Sequence, residues 1–269
     1  MKTKTKFLLL AITAVGTLGA RAQTTSTATA VPATSSPIWA VTAAPAFASQ
    51  YMFRGVRLGG PSFEPAIEYD SGALAAGFWA NFPITDKVVG QSDPEFDFYG
   101  SYAFEAIKDT LSWVPGVTIY TYPNSKRTNG FYTATFEPNL ALNYSVAGWK
   151  FTPKIYYDLV LKGPTLEFTA TYTLPLKDFG TELDFTGTAG TYKWTTAVPD
   201  VSPEIKNWGN YYLIGVAAPF QVTKDSKFTI GWAYTEGSAN FFKQGTFGKA
   251  VNAAAVGRGV LTVSYAITF

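Results

Sequence analysis

The chain closes on Leu261-Thr262-Val263-Ser264-Tyr265-Ala266-Ile267-Thr268-Phe269, where every second residue is large and apolar and each one between is small or polar. A strand sends residues i, i+2 and i+4 to the same side, so this stretch has one greasy wall and one that tolerates water. The same period recurs upstream. Phe228, Ile230, Trp232 and Tyr234 alternate with Thr229, Gly231 and Ala233, and Leu166, Phe168, Ala170, Tyr172 and Leu174 with Glu167, Thr169, Thr171 and Thr173. Between Tyr132 and Tyr144, Ala134, Phe136, Leu140 and Leu142 share one face, with Thr133, Thr135, Glu137, Asn139 and Asn143 opposite.

From Ile38 onward about twelve segments carry this pattern: 38–54, 62–70, 74–84, 95–106, 111–122, 131–145, 148–162, 165–175, 181–195, 208–222, 226–236 and 258–269. Residues 38–269 then allow about 19 per strand and connection, enough for the roughly 9–11 residues that cross a bilayer at a tilt. Short turns are expected at Ser71-Gly72, Ile107-Lys108-Asp109, Val146-Ala147, Leu176 to Gly180 and Lys224-Asp225, and longer loops at 55–61, 85–94, 123–130, 196–207 and 237–257. Gly163-Pro164 is short where a long loop is due. An even strand count, short turns on the side of the termini and alternating loop length are the marks of an outer-membrane barrel. The fold expected is all-β: a closed antiparallel up-and-down transmembrane β-barrel of about 12 strands.

Aromatics collect at the short-turn ends. Tyr69, Phe104, Trp113, Tyr144, Trp149, Tyr172, Phe220 and Phe228 lie there in phase with the apolar faces, as does Phe269. This is the position of a membrane-interface girdle. A soluble sandwich also alternates, but it has no reason to ring one end with aromatics. Pro45, Pro65, Pro115, Pro138 and Pro153 fall inside strands, where proline cannot donate to a ladder; bulges are the expected remedy.

The first residues have another character. Lys2, Lys4 and Lys6 precede the apolar run Phe7 to Val15, and Ala20-Arg21-Ala22 supplies a small-x-small site. Residues 1–22 are expected to be a cleaved signal peptide, since the run falls short of the roughly 18 apolar residues of a spanning helix. Residues 23–37, rich in Ser, Thr, Ala and Pro, are expected to be a disordered lead-in. Removing 1–22 takes four of the 21 bases and none of the 19 acids, which leaves a net charge of −2. A basic surface for nucleic acid is therefore not expected.

The chain has no Cys and no His. That excludes disulfides, histidine-ligated zinc and haem, and nucleophile–histidine pairs. An outer-membrane lipid hydrolase would want a Ser–His pair, and neither Ser-x-x-Lys nor Gly-x-Ser-x-Gly is present. Asp86, Asp93 and Glu95 do not follow a calcium-loop spacing. Neither catalysis, a cofactor nor a metal is expected.

The closing strand, with Tyr265, Ile267 and Phe269 in phase, resembles the C-terminal assembly signal of bacterial outer-membrane proteins. That resemblance implies delivery by periplasmic chaperones and insertion by the barrel-assembly machinery. Ser49-Gln50-Tyr51-Met52-Phe53-Arg54-Gly55 is similar to the Ser-x-Tyr-x-Phe-Arg-Gly stretch of the TorF family of porins, followed by an acidic, aromatic second strand as in Glu64-Pro65-Ala66-Ile67-Glu68-Tyr69. The similarity extends over roughly residues 41–84 and implies an outer-membrane channel in a Gram-negative bacterium.

If the apolar faces meet lipid, the opposite faces line the interior. The lumen-lining set is Arg54, Glu64, Glu68, Glu95, Asp97, Glu105, Glu137, Lys150, Lys154, Asp158, Glu167, Glu182 and Asp184. Lys193 joins its bases, and Tyr99, Tyr120, Tyr122 and Tyr156 share its phase. Carboxylates do not sit unpaired in hydrocarbon, so their phase argues for a wet or ion-paired lumen. Twelve strands lie between the filled eight-stranded barrel and the open sixteen-stranded one. A narrow water-containing pore is expected, or one partly plugged by side chains and loops, with 237–257 the foremost candidate plug. The expected function is passive diffusion of small hydrophilic solutes with a weak preference for cations. The alternative is a non-conducting structural or surface-interaction barrel.

Overall fold

The computed structural model describes residues 39–85, 94–124, 133–193, 208–237 and 257–269; the leader 1–22 and the lead-in 23–37 lie outside them. Their backbone forms twelve wall strands. These are β1 (Ala40–Ala43 continued by Ala46–Ala48), β2 (Ser62–Glu64 continued by Ala66–Asp70), β3 (Leu74–Pro83) and β4 (Glu95–Tyr102 continued by Phe104–Ile107). Next come β5 (Leu111–Thr121), β6 (Ala134–Val146), β7 (Trp149–Asp158) and β8 (Gly163–Leu176). The last four are β9 (Thr181–Tyr192), β10 (Gly209–Thr223), β11 (Ser226–Gly237) and β12 (Arg258–Thr268). Each is antiparallel to its neighbours, and each neighbour is next in sequence.

The ring closes between its ends. Thr42 and Ala43 face Thr268 and Ile267, and Ala46, Phe47 and Ala48 face Ser264, Val263 and Thr262. The Phe269 amide donates to the Val41 carbonyl at 2.9 Å, so the residues whose alternation decides the fold also close it. Closure satisfies the backbone groups that an edge strand leaves open.

The side chains are distributed as in a protein turned inside out. Phe98, Phe136, Leu140, Ile155, Phe168, Ile214 and Trp232 stand exposed on the outer wall, while Glu64, Glu95, Asp97, Glu137, Asp158 and Asp184 are buried within it. Trp113 stacks on Phe104 at 4.5 Å and Trp149 packs on Tyr172 at 4.9 Å beside the short turns, with Phe220 opposite Phe228 in register. Tyr69 and Tyr144 stand exposed at the same end.

The prolines lie where ladders are interrupted. Pro45 and Pro65 sit at the breaks within β1 and β2, and their carbonyls accept from the amides of Tyr265 (3.1 Å) and Ala80 (3.0 Å). Pro115 lies in the gap where pairing of β5 with β4 stops at Gly116 with Ser101 and resumes at Trp113 with Phe104, and the ladder of β4 on β5 shifts register between Leu111 and Ser112. Pro138 and Pro153 both fall on the seam of β6 and β7. Pairing there stops at Ala141 with Lys154 and resumes at Tyr144 with Phe151. Across that gap the Thr152 hydroxyl donates to Asn143 Oδ1 at 3.0 Å, a side-chain bond where the backbone has none to offer. Bulges are thus the smaller part of the remedy; paired interruptions are the larger.

One expectation about the wall is overturned. Segment 38–54 is not a single strand. β1 ends at Ala48, and the chain turns into the barrel as an inner hairpin of Tyr51–Phe53 on Val56–Gly59, returning to the wall at Ser62. Period two runs on through Tyr51 and Phe53 because the hairpin is itself β-structure.

Candidate functional site

The inner hairpin turns at Arg54-Gly55, with φ of 47° and 76°. Positive φ at both central residues is the two-residue turn whose twist matches a hairpin. Gly55 is required twice over: a Cβ there would stand 2.5 Å from the carbonyl of Glu236 and the amide nitrogen of Gly237 on β11. The hairpin tip therefore seats backbone to backbone on β11, two strands from β1, while the Arg54 side chain reaches across the interior to β6. Tyr51, Val56 and Leu58 form a buried apolar cluster with Trp79, and Met52 forms another with Ala48 and Val260. At this level hairpin side chains pack a core against the wall.

Below the tip, side chains reach across the interior. Arg54 is fully buried, its Nη2 lying 2.8 Å from Glu137 Oε1 and donating to Oε2 at 2.9 Å. Its guanidinium carbon sits 5.0 Å from the ring centroid of Tyr156 and 4.8 Å from that of Phe53, within cation–π range. The Tyr120 hydroxyl donates to the same Glu137 carboxylate at 2.9 Å. Glu167 accepts from Tyr156 (2.9 Å) and Tyr211 (2.6 Å), and Lys154 lies 4.9 Å over the Tyr156 ring. Charged hydrogen bonds of this kind are the strong ones, and low water content strengthens them further.

Five of the remaining acids accept from hydroxyls. Glu64 accepts from Ser62 at 2.8 Å, Glu68 from Tyr99 at 3.0 Å, and Asp184 from Thr173 at 2.7 Å. Glu95 accepts from Tyr51 and from Tyr122 at 3.1 Å. Asp158 accepts from Thr135 at 2.6 Å and from the amides of Val160 and Leu161, so it organises its own turn. Asp97 is buried beside this set; Lys150 and Glu182 are half-buried toward the short turns. Glu105 is exposed at the short-turn rim, where it accepts from the Asp109 amide at 2.7 Å. Asp86 and Asp93 lie outside the described residues.

The inner hairpin occupies part of the interior; residues 238–256, which make up nearly all of the expected plug 237–257, lie outside the described residues. Sequence reading also missed Arg57, buried on the hairpin with Nε donating to Gln50 at 2.5 Å, and Tyr211 on β10. Arg57 lay in a stretch taken for a loop. Tyr211 and Tyr212 are both aromatic, so period two could not tell which one points inward; Tyr211 does, and Tyr212 is exposed.

Gly55→Ala is expected to unseat the hairpin, since an added methyl meets immovable backbone at a φ that costs an L-residue about 1–2 kcal/mol. Trypsin checks this: the folded wild-type barrel should resist cleavage at Arg54 and Arg57, and the variant should be cut there.

Three solved structures place the architecture. The KdgM porin is 12% identical and covers 85% of this chain and 99% of its own, with a TM-score of 0.54. The NanC porin is 11% identical, covers 84% and 98%, and has a TM-score of 0.52. A KdgM porin in complex with disordered oligogalacturonate gives 10%, 86%, 99% and 0.50. These likenesses establish a shared barrel fold. No protein of curated function matches the sequence. The family model described as "Bacterial protein of unknown function (Gcw_chp)" matches residues 32–240, and the chain belongs to that family.

Proposed function

We propose that the protein is a porin-like channel of the bacterial outer membrane, passing small hydrophilic solutes with a weak preference for cations, its width set by the inner hairpin. The carrying observation is the inversion of the wall: exposed aliphatic and aromatic side chains outside, hydrogen-bonded carboxylates inside. An exterior of this kind requires lipid, and a polar interior offers a path for water. The fold held in common with the KdgM and NanC porins and the resemblance to the TorF family support the same reading. In this view residues 1–22 direct export, and the closing strand engages periplasmic chaperones and the barrel-assembly machinery.

Selectivity follows from the interior charges. Glu64, Glu68, Glu95, Asp97, Glu137, Glu167 and Asp184 outnumber Arg54, Arg57 and Lys154, and an acid-rich lumen attracts cations. Reversal potentials of the full mature chain in planar bilayers under a salt gradient should show weak cation preference. Clear anion selectivity would contradict the placement of the acids along the path. A folded barrel that carries no current at all would favour the second reading, a closed structural barrel, for which the buried Arg54–Glu137 pair and the packed hairpin speak.

A further inference from the structure

Arg54 occupies its place on the wall as a ligand occupies a site. Glu137 on β6 presents both carboxylate oxygens to one guanidinium nitrogen, and Tyr156 on β7 offers a ring face to the guanidinium carbon. The wall braces this seat from neighbouring strands. Tyr120 on β5 holds Glu137, and Glu167 on β8 holds Tyr156. Glu167 is itself held by Tyr211 on β10. A carboxylate, a flat aromatic face and rigid support from neighbouring strands are what a planar, delocalised cation requires. Glu137 is almost completely buried, so an empty seat would leave its charge without its hydrogen-bonded cation.

We propose that this seat is a binding site for solutes bearing a guanidinium or amidinium group, with Arg54 as its tethered occupant. Such a solute entering the barrel competes with the hairpin tip for Glu137 and Tyr156 and frees the tip from the wall. The binding site stands on geometry alone; its use during passage rests on the channel reading. Tethering gives Arg54 an effective concentration in the millimolar range, so a free solute displaces it only above that range. With Arg54 removed, the seat becomes available at lower concentrations.

The probe is methylguanidinium, and the protein is the full mature chain refolded into detergent and then placed in planar bilayers. In Arg54→Ala, methylguanidinium should raise the thermal midpoint of the barrel at concentrations that leave wild type unchanged. It should also block the current of Arg54→Ala at least about tenfold more tightly than that of wild type or of Arg54→Ala/Glu137→Gln. Tetramethylammonium, a cation of equal charge without planarity or N–H groups, should do neither. Equal response of all three proteins, or equal response to both cations, overturns the site. If no protein carries current, the channel reading fails, and the thermal shift still decides the site. Should Arg54→Ala fold only with methylguanidinium present, the rescue itself supports the proposal. If both Arg54→Ala and Arg54→Gln fail to fold even with the cation, the seat does not take a free guanidinium, and the proposal falls.

Discussion

Replacing Ser49–Pro61 by a two-residue Asn-Gly turn should leave the barrel folded and raise its single-channel conductance several-fold. Ala48 and Ser62 are register partners in the ladder of β1 on β2, so a two-residue turn joins them without disturbing any wall pair. The wall loses little: the Ser49 amide to the Leu261 carbonyl and the Leu261 amide to Ser49 Oγ, both 2.9 Å, and the Ile84 amide to the Pro61 carbonyl at 2.8 Å. The interior loses Tyr51, Met52, Val56 and Leu58, the side chains that pack a core against the wall. It also loses Arg54 and Arg57 while keeping every wall carboxylate, so cation preference should rise together with conductance. A shortened barrel with unchanged current would mean that the constriction lies elsewhere. A larger current with weaker cation preference would mean that the acids are not on the path.

The barrel could be read from the sequence because its signal is distributed. Twelve alternating segments, each faint alone, share one phase rule and one rhythm of connections, and a misjudged boundary of a few residues changes neither. Acids fell on the face opposite the aliphatics since only that face can pair them, and Glu137, Glu167 and Asp184 have hydrogen-bonding partners there. The prolines were legible as an anomaly but not as a solution. Pro138 and Pro153 become tolerable only because they share one seam, a relation between strands that no single segment carries.

The inner hairpin was hidden for the opposite reason. Tyr51 and Phe53 continue the alternation of β1 without a break, so periodicity reads wall where the chain has already turned inward. Two local signals were available. Arg54-Gly55 lies between Tyr51-x-Phe53 and Val56-x-Leu58, which is the arrangement of a tight hairpin with glycine in the left-handed position. Gly59-Gly60-Pro61 then marks an exit before the second strand. What no local signal gives is the destination. That the hairpin folds into the lumen is set by Glu137 on β6, by the backbone of β11 at Glu236 and Gly237, and by the space that twelve strands leave. The same distance along the chain explains why Arg54 and Glu137 were each legible as interior charges, while their pairing across 83 residues was not.

The pair also makes the second large prediction. Removing one member of a buried ion pair leaves the other charged without compensation, at a typical cost of about 3–5 kcal/mol, whereas replacing both by apolar side chains of similar volume is often near neutral. Arg54→Met alone should therefore lower the stability of the refolded barrel strongly, and Arg54→Met/Glu137→Leu should recover most of the loss, as read by urea unfolding in detergent. The hairpin adds a limit that a wall-to-wall pair would not have. Glu137 can regain water if the hairpin leaves the lumen, so the loss in the single variant cannot exceed the free energy that holds the hairpin in place. With the hairpin excised, Arg54 is absent and Glu137 faces water, and Glu137→Leu should then change stability by no more than an ordinary surface substitution, about 0.5 kcal/mol. A large effect of Glu137→Leu in the excised barrel would show that Glu137 serves the wall through Tyr120 rather than the hairpin through Arg54. A small effect of Arg54→Met in the intact barrel, with trypsin now cutting at Arg57, would show a hairpin so weakly held that the pair sets its position and not the stability of the barrel.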